Sequence, residues 1–320
     1  MTNSARLSGR PSSSAAYNVG NVVDTPDSAI KSWRYLGAGE WEPNDAVRYT
    51  RGPGGGVELT VAGEAYDPLA ICPYYHFHGF AGGQFAGDPK FFDLAGANHG
   101  NFGAHLSASA AWANAGYVST VDPATGALDS VIRMPAINFD YAEGEKLIVW
   151  WHGACTPEGA SIAMMGDGAQ AQTVPGWRVR VDPTGKFNIG VHYVNTATSE
   201  YSVNSDGTVF DGTPHSFAFV LDGKNSKYGL WSDEVYQSAF GQQYSVFSSG
   251  VGGDTRTAAT VNIGSAHPAP GSTGGISVRT RAVVILRLPP SVALPSVQTM
   301  TDLFTQLRAN PGRLIRASAI

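Results

Sequence analysis

Charge is scarce in this sequence. Asp, Glu, Lys and Arg together supply 15% of the 320 residues, against about a quarter in an ordinary globular chain, which excludes an extensive solvated helical surface. Cysteine is scarcer still. Cys72 and Cys155 stand alone, too few for a disulfide framework at this length, and their apolar and aromatic settings suit buried free thiols. No window approaches eighteen consecutive apolar residues, so no membrane-spanning helix is expected. The opening Met1-Thr2-Asn3-Ser4-Ala5-Arg6 leads into no apolar signal-peptide core. These absences predict a chain made soluble in a reducing compartment, with no membrane partner.

Catalytic signatures are missing too. There is no Gly-x-Ser-x-Gly elbow and no phosphate-binding glycine loop, and neither cysteine has the basic or helix-start setting that would activate a thiol. Two acidic clusters, Asp140 with Glu143 and Glu145, and Asp233 with Glu234, read as solvated turns in preference to catalytic pairs. Charge is also unevenly placed. Residues 1–65 hold six Lys/Arg and seven Asp/Glu, residues 66–275 nine and eighteen, and residues 276–320 six and one, giving nets of −1, −9 and +5. An acidic body argues against nucleic acid as a partner, because phosphate neutralisation needs clustered cations.

What is abundant is glycine, 39 residues, a composition that suits many turns and an all-β chain. Residues 1 to 20 carry too few large apolar groups to fold alone and predict a flexible arm. An aromatic segment follows, with Trp33, Tyr35, Trp41 and Tyr49, before Gly52-Pro53-Gly54-Gly55-Gly56. That segment reads either as the first strands of the sandwich or as an attachment surface centred on Trp33, Tyr35 and Trp41. The domain division drawn from this is 1–56 for the arm and attachment segment and 57–320 for the β domain.

Inside the β domain, Tyr74, His76, His78 and Phe80 fall on one face of a strand. Two histidines at that spacing either share a metal or pack as neutral aromatics, and packing is the simpler reading. Leu147-Ile148-Val149-Trp150-Trp151 is apolar on both faces and predicts a central strand, covered on its second side by loops or a neighbouring chain. Trp177 to Val181 and Phe187 to Tyr193, joined by Asp182-Pro183-Thr184-Gly185, predict a hairpin with one wet face. His215, Phe217, Phe219 and Leu221 share a face before an Asp222-Gly223 turn into Tyr228-Gly229-Leu230-Trp231. Near the end, Ile276, Val278, Thr280, Ala282, Val284, Leu286 and Leu288 predict a core face. Its opposite, Ser277, Arg279, Arg281, Val283, Ile285 and Arg287, predicts an arginine-flecked outer one. After Pro289-Pro290, a helix capped by Ser296 buries Val297, Met300, Phe304 and Leu307 and ends at Asn310-Pro311-Gly312.

Taken with Thr260-Val261-Asn262-Ile263-Gly264, Gly274-Gly275 and the Phe91 to Phe102 crossing, this order of segments resembles laminin-G-like domains of the concanavalin A-like lectin and glucanase jelly rolls. The tail Leu307-Arg308-Ala309-Asn310-Pro311-Gly312-Arg313-Leu314 resembles that of such domains in tailed-phage virion proteins. The resemblance implies a two-sheet antiparallel jelly-roll sandwich with a short C-terminal helix and an extended N-terminal arm. It implies a virion structural protein, a tail, spike, fibre or decoration component, made in the host cytoplasm. Its partners would be other virion proteins and host or environmental glycan, and its state a homo-oligomer, a trimer by analogy with fibres and spikes. The alternative is a glycan-cleaving hydrolase, but the Glu-x-Asp-x-x-Glu string of glucanases with this fold is absent. No cofactor is expected unless rim loops hold calcium, for which Asp167 and Asp254 are the candidates. No glycan-binding residue is singled out.

Overall fold

The computed structural model describes 71–81, 90–102 except 92 and 97, 117–120, 131–155, 162–167, 175–194, 198–205, 207, 210–237, 243–246, 255–264 and 278–320. It also gives the backbone of six strands between residues 5 and 61. These are β1 Ala5–Arg6, β2 Val22–Asp24, β3 Ser32–Gly37, β4 Glu40–Pro43, β5 Val47–Arg51 and β6 Val57–Val61. The first four make their own sheet, and β5 pairs with β6. Among the described strands none of the six pairs with the sandwich sheets, which corrects the reading of the aromatic segment as the sandwich's first strands. Trp33 and Tyr35 lie on β3 and Trp41 on β4, with Tyr35 opposite Trp41. Across the division drawn at 57, Arg51 of β5 faces Val57 of β6.

The sandwich strands are, in order, β7 Tyr75–Phe80, β8 Lys90–Phe91, β9 Gly100–Phe102, β10 Val118–Thr120, β11 Ile132–Met134 and β12 Lys146–Cys155. Then come β13 Ile162–Gly166, β14 Gly176–Val181, β15 Phe187–Val194, β16 Thr198–Asn204 and β17 Pro214–Asp222. The last are β18 Lys227–Ser232, β19 Val235–Tyr236, β20 Ser245–Val246, β21 Val261–Ile263 and β22 Val278–Leu288. One sheet runs β10-β22-β12-β17-β18-β19, with β7 on the other half of the β22 edge and β20 on β18. The second runs β16-β15-β14-β13-β21-β11-β9-β8. Every pairing in both is antiparallel. The expected two-sheet antiparallel sandwich with one C-terminal helix is what forms.

Two cores hold it together. Between the sheets lie Val149, Trp151, Trp177, Phe187, Phe217, Phe219, Val283 and Ile285 among others. On the outer side of the first sheet, Ile148, Trp150, Val220, Trp231, Val284 and Leu286 pack against α1, Val297–Ala309, through Met300, Leu303, Phe304 and Leu307. The helix starts as expected, with the Ser296 side chain accepting from Thr299 N at 3.1 Å, which satisfies one of the first-turn amides. Trp231 ties it to the sheet, its ring 5.0 Å from Phe304 and its Nε1 donating to Thr301 Oγ1 at 2.9 Å. Behind the helix the chain returns to β7: Ile315 N donates to the Tyr75 hydroxyl at 2.6 Å, and His78 Nε2 donates to Pro311 O at 2.7 Å.

The closing strand departs from simple alternation. Val278 belongs to the inner core, but so do Val283 and Ile285, while Ala282, Val284, Leu286 and Leu288 face the helix. The parity changes at a bulge, where His152 faces Ala282 but Gly153 faces Thr280, leaving Arg281 as the extra residue. One inserted residue swaps the faces downstream of it. The face expected to be outermost, with Val283 and Ile285, is therefore the sandwich interior, and the face expected to be core is core under a helix. Gly153 is required at this point, since a Cβ would lie 2.1 Å from Arg279 O.

Two further expectations change. The second side of β12 is covered by α1, not by a neighbouring chain. The β14–β15 hairpin has no wet face at Arg178 or His192, both buried; each sits opposite a glycine, Arg178 facing Gly190 and Gly176 facing His192, so the cross-strand space admits the larger polar side chain.

Candidate functional site

Strand register lays the outer face of the first sheet out in rows. Lys227, Asp222, Lys146 and Leu288 form one row across β18, β17, β12 and β22. Two residues on come Gly229, Val220, Ile148 and Leu286, and then Trp231, Ala218, Trp150 and Val284. The helix covers the apolar rows, because only these offer it a matching surface. The next row along, Ser216, His152 and Ala282, turns polar where the helix ends, and the bulge pushes Arg281 out beside it.

His152 is the centre of this end. Its Nδ1 lies 2.8 Å from His215 O, a contact that needs Nδ1–H, so Nε2 is left to accept from Arg308 Nη1 at 3.2 Å. The Arg308 guanidinium, in the last turn of α1, contacts both ring nitrogens. Burial first, and then the Arg308 charge with a smaller share from Arg281, push the His152 pKa down to about 3. The imidazole is neutral between two guanidiniums. Arg281 lies over the Tyr117 ring at 5.7 Å, the geometry of a cation–π contact, and its Nε is buried without an acceptor among the described residues. Arg279, one strand position further out, donates to Gly212 O at 2.9 Å.

Acidic groups close the rim. Asp233 and Glu234 form the two-residue turn between β18 and β19, both left-handed at φ 46° and 64°, a conformation that non-glycine residues adopt at a cost and that hairpin turns of this kind require. The turn aims both carboxylates back across the sheet. Asp233 Oδ1 accepts from Ser216 N at 2.9 Å and Oδ2 meets His215 Nδ1 at 2.6 Å. Glu234 Oε1 takes the Ser216 hydroxyl. Burial lifts the Glu234 carboxyl above its ordinary range, with the Ser216 hydroxyl and Arg308 pulling the other way. On the far side of the imidazole, His215 Nε2 lies 3.1 Å from Asp211 Oδ1 and 3.0 Å from Thr213 Oγ1. Burial alone would lower the His215 pKa, but the Asp233 and Asp211 carboxylates outweigh it and raise the value.

This arrangement constrains the chemistry. Thr213, His215 and Asp233 are spaced like a nucleophile, base and orienting acid. Yet Thr213 Oγ1 donates to Asp211 Oδ1 at 2.6 Å, and the carboxylates on both sides of the imidazole favour its protonated form, which cannot take a hydroxyl proton. What remains is a surface of fixed donors beside one aromatic ring: guanidiniums from Arg279, Arg281 and Arg308 and the ring of Tyr117.

Other residues singled out in the sequence lie elsewhere. Asp167 is fully buried at the end of β13 with Oδ1 accepting from Trp177 N at 2.8 Å, and burial raises its pKa to about 8. Asp167 is thus enclosed within the sandwich and not displayed on an open rim loop, and Asp254 lies outside the described residues. Among the described residues no cluster of three or more His, Cys, Asp or Glu has metal-holding geometry. His76 and His78 reach carbonyls of different segments, Pro135 O at 3.0 Å and Pro311 O at 2.7 Å, and burial lowers His78 to about 4, so the pair packs as neutral rings. Asp140 and Glu145 belong to a turn that is stapled, not solvated: Glu145 receives a two-pronged bond from Arg287, and Asp140 pairs with Arg256 at 3.2 Å. Asp93 ties the Phe91 to Phe102 crossing together, taking His78 N, Ala95 N and Asn98 N at 2.9 to 3.1 Å. Cys72 and Cys155 are buried thiols not joined in a disulfide. The acidic Asp233 and Glu234, set aside as a turn, are part of the site. Tyr117, His152 and Arg308 carry no motif; the one local signal is a polar residue, His152, following a run apolar on both faces.

No known protein-family profile matches the sequence, and no curated protein does. Among solved structures, the binding domain of botulinum neurotoxin serotype D is 10% identical with a TM-score of 0.48, over 75% of this chain and 52% of that one. A Trypanosoma rangeli sialidase complex is 10% identical, TM-score 0.48, over 75% of this chain and 34% of that one. The Ruminococcus gnavus IT-sialidase CBM40 bound to alpha2,3 sialyllactose is 10% identical, TM-score 0.38, over 57% and 95%. The chain thus spans 52% of the toxin domain's length and 34% of the sialidase's.

Proposed function

We propose that this chain is a non-catalytic glycan-binding module, a lectin-like sandwich that takes sugar at the polar end of its outer sheet. The supporting observation is the convergence of Arg281, Arg308 and Tyr117 on a neutral His152. Planar guanidiniums donate in pairs to vicinal hydroxyls, and an aromatic face suits the apolar side of a sugar ring. Arg281 Nε, buried without an acceptor, is the donor a ligand oxygen would use. The ion-paired His215 supports a binding role over a hydrolytic one, since two flanking carboxylates favour the protonated imidazole, which is a poorer general base. No cofactor enters this reading.

The setting in this proposal is a phage particle, where the chain serves as a tail or surface component and assembles as a symmetric homo-oligomer, a trimer. That part rests on the resemblance of the closing strand, helix and tail. The division of charge between an acidic middle and a +5 end supplies complementary patches for a closed ring.

The test is a glycan array with the full chain, its Arg281→Ala form and its Arg308→Ala form. A defined set of bound glycans, weakened at least tenfold in both variants, is expected. An array without signal, or one unchanged by both substitutions, rules the site out.

A further inference from the structure

At the other end of β12 from His152, the first cross-strand row opens into a groove of about 670 Å³, within the size of small-ligand sites. Lys227, Asp222 and Lys146 form its floor as neighbours on three strands. One wall is the segment Pro290 to Val297, and the other the turn carrying Lys224 and Asn225, with Tyr244 at the edge donating its hydroxyl to Pro295 O at 2.9 Å.

The polar groups of this groove are incompletely used. Lys146 is buried, and among the described residues its ammonium meets two neutral carbonyls, Gly144 O at 3.2 Å and Pro290 O at 3.0 Å. Asp222, 2% exposed, takes Asn225 Nδ2 on Oδ2 at 2.9 Å, while Oδ1 is buried without a donor among the described residues. Lys224 and Lys227 make no ion pair among the described residues. Three ammonium groups against one carboxylate leave the groove positive, within a middle segment whose net charge is −9. A local positive hollow in an acidic surface concentrates anions there.

We infer that this groove is a second binding site, for an acidic oligosaccharide. Its carboxylates meet Lys224 and Lys227, and one of its hydroxyls supplies the donor that Asp222 Oδ1 lacks. The Tyr244 ring and the Pro290 to Pro295 wall take the apolar ring faces. Simple anions fit less well: phosphate brings charge but no apolar ring face for Tyr244 and the Pro290 to Pro295 wall.

Calorimetric titration of the full chain with trigalacturonate tests this, with its methyl ester, inorganic phosphate and maltotriose as comparisons. Expected is binding by trigalacturonate alone, weakened at least tenfold in the Lys224→Ala/Lys227→Ala double variant and unchanged in Arg281→Ala. Equal unfolding temperatures show that the double variant folds. No binding by trigalacturonate, equal binding by its ester, or competition by equimolar phosphate overturns the inference. Loss confined to Arg281→Ala does so as well, and points to the His152 end, whereas failure of the array at that end leaves the groove standing.

Discussion

His215, His152 and His78 are imidazoles that the same sandwich tunes in opposite directions. Held between Asp233 and Asp211, His215 binds its proton more tightly folded than unfolded. The stability it contributes is complete below the ordinary imidazole range near 6.5 and is lost as pH climbs through the raised value. His215→Gln is therefore expected to flatten the stability profile on the alkaline side of about 6.5, which thermal unfolding across pH 5 to 9 measures. His78 and His152 behave inversely. Burial lowers them to about 4 and about 3, so their stabilising neutral form is favoured above about 6.5 and its contribution is lost as pH falls towards those values. Asp167 is a third case: folding holds it protonated up to about pH 8 while the unfolded chain ionises near 3.8, a cost that grows with pH between those values. Asp167→Asn, which keeps an acceptor for Trp177 N, is expected to raise the unfolding temperature at pH 8 and to change it little at pH 4. A lower unfolding temperature at pH 8 would show that the carboxyl proton or an unseen partner is needed. The lowered His78 and His152 and the raised Asp167 were not legible locally, because their leading cause is burial, and burial is made by segments far apart in the chain, such as Pro311, which lies 233 residues from His78.

At the scale of elements, β22 carries the fold's main lesson about alternation. Both its faces are buried, one under the opposite sheet and the other under α1. Leu286→Ala and Ile285→Ala are each expected to cost about 2 to 5 kcal/mol in denaturant unfolding, the range for a buried large-to-Ala change. A cost below about 0.5 kcal/mol at Ile285 would return that face to the surface. The helix was legible from its cap, its three-and-four apolar spacing and its terminating Asn-Pro-Gly. Ser296→Ala is expected to cost about 0.5 to 2 kcal/mol by loss of the bond to Thr299 N. What the spacing concealed was the helix's destination. Seated on Ile148, Trp150, Val284 and Leu286, it makes the outer face of a central strand as dry as the inner one.

For the whole molecule, assembly is the property to measure. Light scattering is expected to give a trimer for the full chain and a smaller species for the chain beginning at residue 62, which leaves the β5–β6 hairpin undivided. A monomer for the full chain ends the oligomer proposal. Chelation is expected to leave both unfolding temperature and glycan binding unchanged; a fall in either would restore a metal to the account.

The sequence by itself determined what depends on near neighbours: alternation set the strands, Asp-Pro-Thr-Gly and Asp-Gly set turns, and the cap set the helix start. It also determined that the chain has few charges to hydrate a large surface, and that β12, apolar on both faces, must find cover on both sides. Only the tertiary structure decided which surface covers which, because one bulge at Arg281 reverses the faces of β22 and no local pattern encodes a bulge. The two candidate sites share that origin. Each is a row of residues from strands distant in sequence, brought side by side by cross-strand register where the helix and the segment leading into it leave the sheet uncovered.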